Sequence, residues 1–270
     1  MANASPRKRP STSTPLRVSV NAIHARMADD ITLAVRRHDP GKTTHGVALL
    51  VPDVGEDLTS FDGVAAVLAV QGIRAYAFTP RGHTGSNGVW TLAGHLRDVR
   101  AWLRTLRAEG KPVVLIARGL SATLALLHEE IAHRTHAQRR PAVPDAMVLI
   151  DPLVAGAHAV PRGLRALLTT RVGNCRSLSR HERGVLHRFT LPPVRVQTPT
   201  VILQARHLHP EDPHDPLRRV FGAVTVRRAP WLLGTTRIEH ARADQDIATF
   251  AQEMLALDAP HRFRADRRAP

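Results

Sequence analysis

A chain of 270 residues, 43% of them hydrophobic, can bury one substantial core. It has no apolar run of the roughly 18 residues that a membrane-spanning helix needs, and its one cysteine, Cys175, excludes an intrachain disulfide. The 38 Lys and Arg against 23 Asp and Glu give a formal net charge of +15, which favours anionic partners through long-range attraction. The basic residues are nevertheless spread along the chain and only 4% of residues are aromatic, which argues against nucleic acid, whose binders add clustered bases or stacking aromatics.

The first fifteen residues, MANASPRKRPSTSTP, are rich in Pro, Ser and Arg and lack the apolar stretch of a secretory signal. They read as a disordered basic tail on a cytoplasmic protein, matched by a second basic tail at 259–270. Apolar residues then alternate at Leu16, Val18 and Val20 and again at Ile31, Leu33 and Val35, the pattern of an opening antiparallel pair of strands. GVALLVP at 46–52 is the continuous apolar run of a strand covered on both faces. Phe61, Val64, Ala65 and Leu68 follow with helical spacing, Gly72 stops that helix, and IRAYAF at 73–78 is the next strand. Leu92, Leu96, Val99, Leu103 and Leu106 mark one stripe of a helix over 91–108, after which Pro112 opens the strand VVLIA. Leu120, Leu124, Leu127 and Ile131 mark the following helix; AMVLI at 146–150 and TVILQA at 200–205 are further strands, and a last helix is expected at about 244–257.

Strands alternating with helices at this spacing need crossover connections, which generate a mostly parallel sheet with helices on both faces. Residues 152–196 interrupt the alternation with helical patterns at about 161–171 and 178–189 and a Pro-Pro exit at 192–193, read as a helical lid inserted between two core segments, 16–151 and 197–258. No internal repeat is present.

The strand VVLIA runs into a tight turn and a helix at Ala117-Arg118-Gly119-Leu120-Ser121. With LLVPDVGED at 49–57, Gln71-Gly72, Arg81-Gly82-His83, Gly85-Ser86, His95 and Asp98, in this order and spacing, the chain resembles the α/β-hydrolase superfamily, closest to its monoacylglycerol-lipase-like or serine-aminopeptidase-like group. The resemblance implies that fold and a nucleophile elbow of the form G-x-S-x-G, a histidine, an acid and two oxyanion-binding amides. It places Gly119 at the nucleophile position, Leu208 at the acid and Arg237 at the histidine, so that none of the three usual side chains is present. It also sets Asp53 and Val54 where a His-Gly turn stands in the family, with Arg118 and Leu120 completing the cleft and oxyanion region, and a carboxylate there opposes a developing oxyanion.

Substitutes are conceivable in Ser121, His240 and Asp212 or Asp215. Ser121 lies in the first turn of its helix, where a hydroxyl ordinarily caps amides or packs inward. Ser86 reads as loop support. His207, His209, Glu211, Asp212, His214 and Asp215 are the densest ligand cluster, but a solvated loop has the same composition, and no metal or other cofactor is expected. The sequence reading is thus a pseudo-hydrolase binding a small-molecule, acyl or anionic ligand, or a protein, through the old cleft. A hydrolase using displaced residues and a basic module for an anionic partner are the alternatives. Arg118 and Arg237, if turned inward, suit a carboxylate or phosphate. Oligomeric state is not legible.

Overall fold

The computed structural model describes residues 18–41, 43–135, 142–152, 191–204, 217, 220–229 and 237–265. Eight strands form one sheet: β1 (Ser19–Arg26), β2 (Thr32–Asp39), β3 (Gly46–Val51), β4 (Ile73–Phe78), β5 (Val113–Arg118), β6 (Ala146–Ile150), β7 (Val194–Gln204) and β8 (Val220–Arg228). Their spatial order is β1-β2-β4-β3-β5-β6-β7-β8. β2 runs antiparallel to both β1 and β4, and every other neighbouring pair is parallel. The helices are α1 (Asp62–Val70), preceded by a 3-10 turn at Leu58–Phe61, α2 (Leu92–Arg107), α3 (Gly119–Arg134) and α4 (Arg237–Ala265).

The period of two along the central strands divides the core into two layers. Val47, Leu49 and Val51 of β3 and Val113, Leu115 and Ala117 of β5 point to one face, where Val99, Trp102, Leu103 and Leu106 of α2 and Ala122, Ala125 and Leu126 of α3 cover them. Ala48 and Leu50, with Val114 and Ile116, point to the other, under Phe61, Val64, Ala65 and Leu68 and the α4 residues Ile247, Ala248, Ala251, Met254 and Leu255. Both faces are dry, which is why β3 and β6 read as unbroken apolar runs and β4 and β5 are interrupted only by Arg74 and Arg118.

Several boundaries and faces depart from the sequence reading. On β1 it is Ile23 and Ala25 that pack against the core, whereas Val20 is 54% exposed and Leu16 lies outside the described residues. The α2 stripe includes buried His95 and Asp98, with Leu92 and Leu96 only half-buried. In α3, Leu127 is half-buried and Ile131 exposed, while Ser121, Thr123, His128 and Glu129 are buried, because this helix is enclosed on more than one side. β7 begins at Val194, immediately after the Pro-Pro pair and ahead of the expected core boundary at 197. A register shift lies between Val196 and Thr200, and the Glu129 carboxylate fixes it by accepting the amides of Gln197 and Thr198 at 3.1 and 2.9 Å and the Thr198 hydroxyl at 3.1 Å. β8 was not anticipated: Phe221 and Val226 are about half exposed and Gly222 sits at φ +109, so the segment lacks a buried strand's pattern. α4 starts at Arg237 and continues to Ala265, outrunning the expected 244–257 at both ends and the core limit at 258. The bulk of the expected lid, residues 153–190, the tail at 1–15 and residues 266–270 lie outside the described residues.

Candidate functional site in the cleft

The site forms beyond the carboxyl ends of β3, β5 and β6, where an open parallel sheet places its ligands. At the end of β5 the chain turns sharply into α3. Arg118 is extended (φ −120, ψ 146) and Gly119 takes φ +57, a left-handed conformation that costs other residues about 1–2 kcal/mol. The elbow backbone is therefore present without a side chain. A Cβ built on Gly119 would lie 2.1 Å from Asp53 Oδ2: the Asp53 carboxylate fills the space an elbow side chain would need.

Asp53 follows β3 and Pro52. Its Oδ1 accepts the amides of Val54 at 2.8 Å and Leu120 at 2.9 Å, the two N–H groups that the resemblance assigns to an oxyanion. Burial pushes the Asp53 carboxyl up to about 7; the nearby charge of Glu56 pushes the same way, against the two amide bonds and Arg118. Glu56 is tied in through both oxygens, Oε2 accepting the Asp53 amide at 3.0 Å and Oε1 receiving Arg118 Nη1 at 3.0 Å. Arg118 also lies over the Phe61 ring at 4.8 Å. Its charge is thus engaged within the protein, which removes the main support for Arg118 as a receptor for a ligand's carboxylate or phosphate.

The loop is held from below by His83, whose Nε2 accepts the Gly55 amide at 2.9 Å while Nδ1 donates to the Arg81 carbonyl at 3.1 Å. Burial lowers the His83 pKa, which keeps the ring neutral, as an accepting Nε2 requires. Arg81 in turn makes a two-pronged pair with Asp98 of α2 and a third bond to Asp29 at 3.0 Å. Ser86 accepts the Ala34 amide at 2.9 Å and donates to the Thr79 carbonyl at 2.7 Å, the expected loop support.

Ser121 is 2% exposed and turned inward. Its hydroxyl donates to the Pro52 carbonyl at 2.6 Å and meets His95 Nε2 at 3.1 Å. With the serine proton given to Pro52, His95 Nε2 is the donor of that second bond, so this imidazole is not a base for Ser121. Burial, helped by the nearby Arg81 guanidinium and the His83 ring, depresses the His95 pKa to about 3. His240 is on the first turn of α4 and lines a cavity with Glu56 and Arg118. Arg237 is the first residue of α4, with its side chain outside the described residues, as are Leu208, Asp212 and Asp215. The His207–Asp215 cluster lies there too; among the described residues no group of three His, Cys, Asp or Glu is arranged for a metal.

A cavity of about 480 Å³ opens here, lined by Glu56, Arg118, Asp151, His240 and Asp244 above Ile150, Ala243 and Ile247. Asp151, directly after β6, has φ +44, and Asp244 of α4 is seated on α1, where a Cβ on Gly63 would fall 1.8 Å from its Oδ2. Burial raises the Asp244 carboxyl, with Arg118 and His240 opposing. Glu56, Asp151 and Asp244 escaped the sequence reading. For Asp151 a signal existed, a carboxylate at the carboxyl end of a fully apolar strand; Asp244 reaches the site only through the packing of α4 on α1.

No protein-family model matches the sequence, and no curated protein matches it either. Solved structures do match. A soluble variant of the monoglyceride lipase of Saccharomyces cerevisiae superposes with a TM-score of 0.56 at 13% identity over 93% of this chain and 99% of that one. An α/β hydrolase from a Penicillium species gives 0.60 at 13% identity over 86% and 99%. The chain has the α/β-hydrolase fold. An epoxide hydrolase from Vigna radiata, at 0.54 and 15% identity over 88% and 98%, shares it, so that structures named for different chemistries stand on this one α/β-hydrolase scaffold. Within the described residues, no helix of this α/β-hydrolase fold is long and apolar enough to cross a membrane.

Proposed function

We propose that the chain is a pseudo-hydrolase that binds a ligand in its cleft and does not carry out acyl transfer. One observation carries this reading: the Asp53 carboxylate receives both Val54 and Leu120 amides and fills the space in front of Gly119. Ester hydrolysis of the family's type requires a nucleophilic oxygen on the elbow and two free donors for the oxyanion. Gly119 offers no oxygen, and the Asp53 carboxyl group already holds the donors, so negative charge developing on a substrate would find them occupied. The inward bonds of Ser121 count against the alternative of a displaced nucleophile.

Purified protein is expected to leave p-nitrophenyl esters of short and long acyl chains unhydrolysed and to remain unlabelled by a fluorophosphonate probe. Turnover that disappears in Ser121→Ala would overturn the proposal.

A further inference from the structure

Six arginines among the described residues are half-buried or buried: Arg36, Arg37, Arg74, Arg81, Arg100 and Arg118. Five of them face a carboxylate, Arg36 that of Asp62, Arg37 and Arg74 that of Asp39, Arg81 those of Asp98 and Asp29, and Arg118 that of Glu56. Arg100, in the middle of α2, is the exception. Its Nε donates to His128 Nδ1 of α3 at 3.1 Å, while its Nη2 is buried without a hydrogen-bond partner. Burial lowers the Arg100 pKa, and no carboxylate opposes that shift. A guanidinium withdrawn from water ordinarily meets a negative charge that offsets the cost, so Arg100 is built as one half of an ion pair.

This half is also held in place. His128 is 1% exposed and its Nε2 donates to the Ala142 carbonyl at 2.8 Å, which makes Nδ1 the acceptor for Arg100. With Nε committed, the Nη1 and Nη2 edge is the one that can meet two oxygens of a single anion. Arg97 and Arg104 stand three positions before and four after Arg100, which brings all three to one side of the helix, and both are exposed. Arg97 reaches Asp29 only at 3.7 Å, and Arg104 faces no carboxylate among the described residues.

We infer that this side of α2 binds a phosphate group, with the Nη1 and Nη2 edge of Arg100 on two of its oxygens and Arg97 and Arg104 meeting it from either side. A dianion suits three guanidiniums better than a carboxylate does. None of these residues lines the cleft cavity, so the site is separate from the one proposed above.

The test titrates inorganic phosphate and phenyl phosphate into the full chain by calorimetry, with chloride holding the ionic strength constant. Saturable binding at one site is expected, and the tighter of the two probes tells a free phosphate ion from a phosphomonoester as the source. Arg100→Gln is expected to weaken that binding at least about tenfold and Arg104→Gln about threefold. Arg242→Gln, an exposed position on α4 across the sheet, should leave it unchanged. A net charge of +15 attracts any anion, so the order of these three single-charge changes is what identifies the site. Affinity in Arg100→Gln within about twofold of the native protein, an equal loss in Arg242→Gln, or no saturable binding of either phosphate up to about 10 mM would each overturn the inference. Should Arg100→Gln fail to fold, the comparison of Arg104→Gln with Arg242→Gln, both at exposed positions, still decides.

Discussion

Asp53 Oδ1 accepts the amide of Leu120 at 2.9 Å across the junction of β5 and α3. This bond joins two segments 67 positions apart and places a carboxylate at the positive end of a 16-residue helix. It makes the elbow a closed structural unit rather than an open receptor, and its consequences can be measured.

Gly119→Ser is expected to destabilise the protein by about 2 kcal/mol or more, since it forces a side chain into a left-handed conformation and against the Asp53 carboxylate. Adding Asp53→Gly should recover part of the loss. A chemical-denaturation cycle on the two single variants and the double variant measures the coupling; additive effects would show that the two positions do not share the space.

Two buried groups should give stability opposing pH dependences, nearly cancelling between about pH 4 and 6.5 and leaving a fall toward pH 7. His95 is held neutral with a pKa near 3, below its ordinary value of 6.5, so the folded state binds fewer protons than the unfolded one between these values and loses stability as the pH falls below about 6.5. Asp53 works in the opposite direction: its carboxyl is raised from 3.8 to about 7, so folding takes up a proton and stability declines as the pH climbs from about 4 through 7. Asp53→Asn should flatten the alkaline side, leaving the variant more stable than the parent at pH 8 by an amount on the order of 1–3 kcal/mol. Urea midpoints between pH 5 and 8 provide the check.

Asp98→Ala removes the two-pronged partner of Arg81, a pair with side chains 1% and 5% exposed, and leaves that guanidinium only Asp29. A loss of about 3 kcal/mol is expected from an uncompensated buried charge. Asp98→Asn, which preserves shape and one acceptor, should cost less. Because Arg81 supports His83 and so the Gly55 turn, the same variant should loosen amide exchange at residues 53–56.

Glu129→Ala is expected to cost about 3 kcal/mol by stranding the Gln197 and Thr198 amides. Hydrogen exchange should report the damage in β7 around 196–200 rather than in α3. Uniform loss of protection would point to general destabilisation.

Much of this architecture was legible because β3 to β6 are covered on both sides and therefore apolar but for Arg74 and Arg118, and because α1 keeps a simple 3.6-residue stripe. β8 was not: its outer face is wet, and Gly222 breaks its alternation. At the site, the missing elbow side chain and the carboxylate at Asp53 can be read directly, and so can the inward turn of Ser121 from its place in the first helical turn. The fate of Arg118 could not be read, since pairing with Glu56 spans 62 positions. Nor could the Asp244 contact with Gly63, which exists only because two helices pack on the same face of the sheet.

The mutual occupancy of Gly119 and Asp53 also works as a ratchet on descent. A serine placed at 119 alone would bear a steric penalty, and loss of the aspartate alone would strip two amides of their acceptor, so the two positions can change without loss of stability only together.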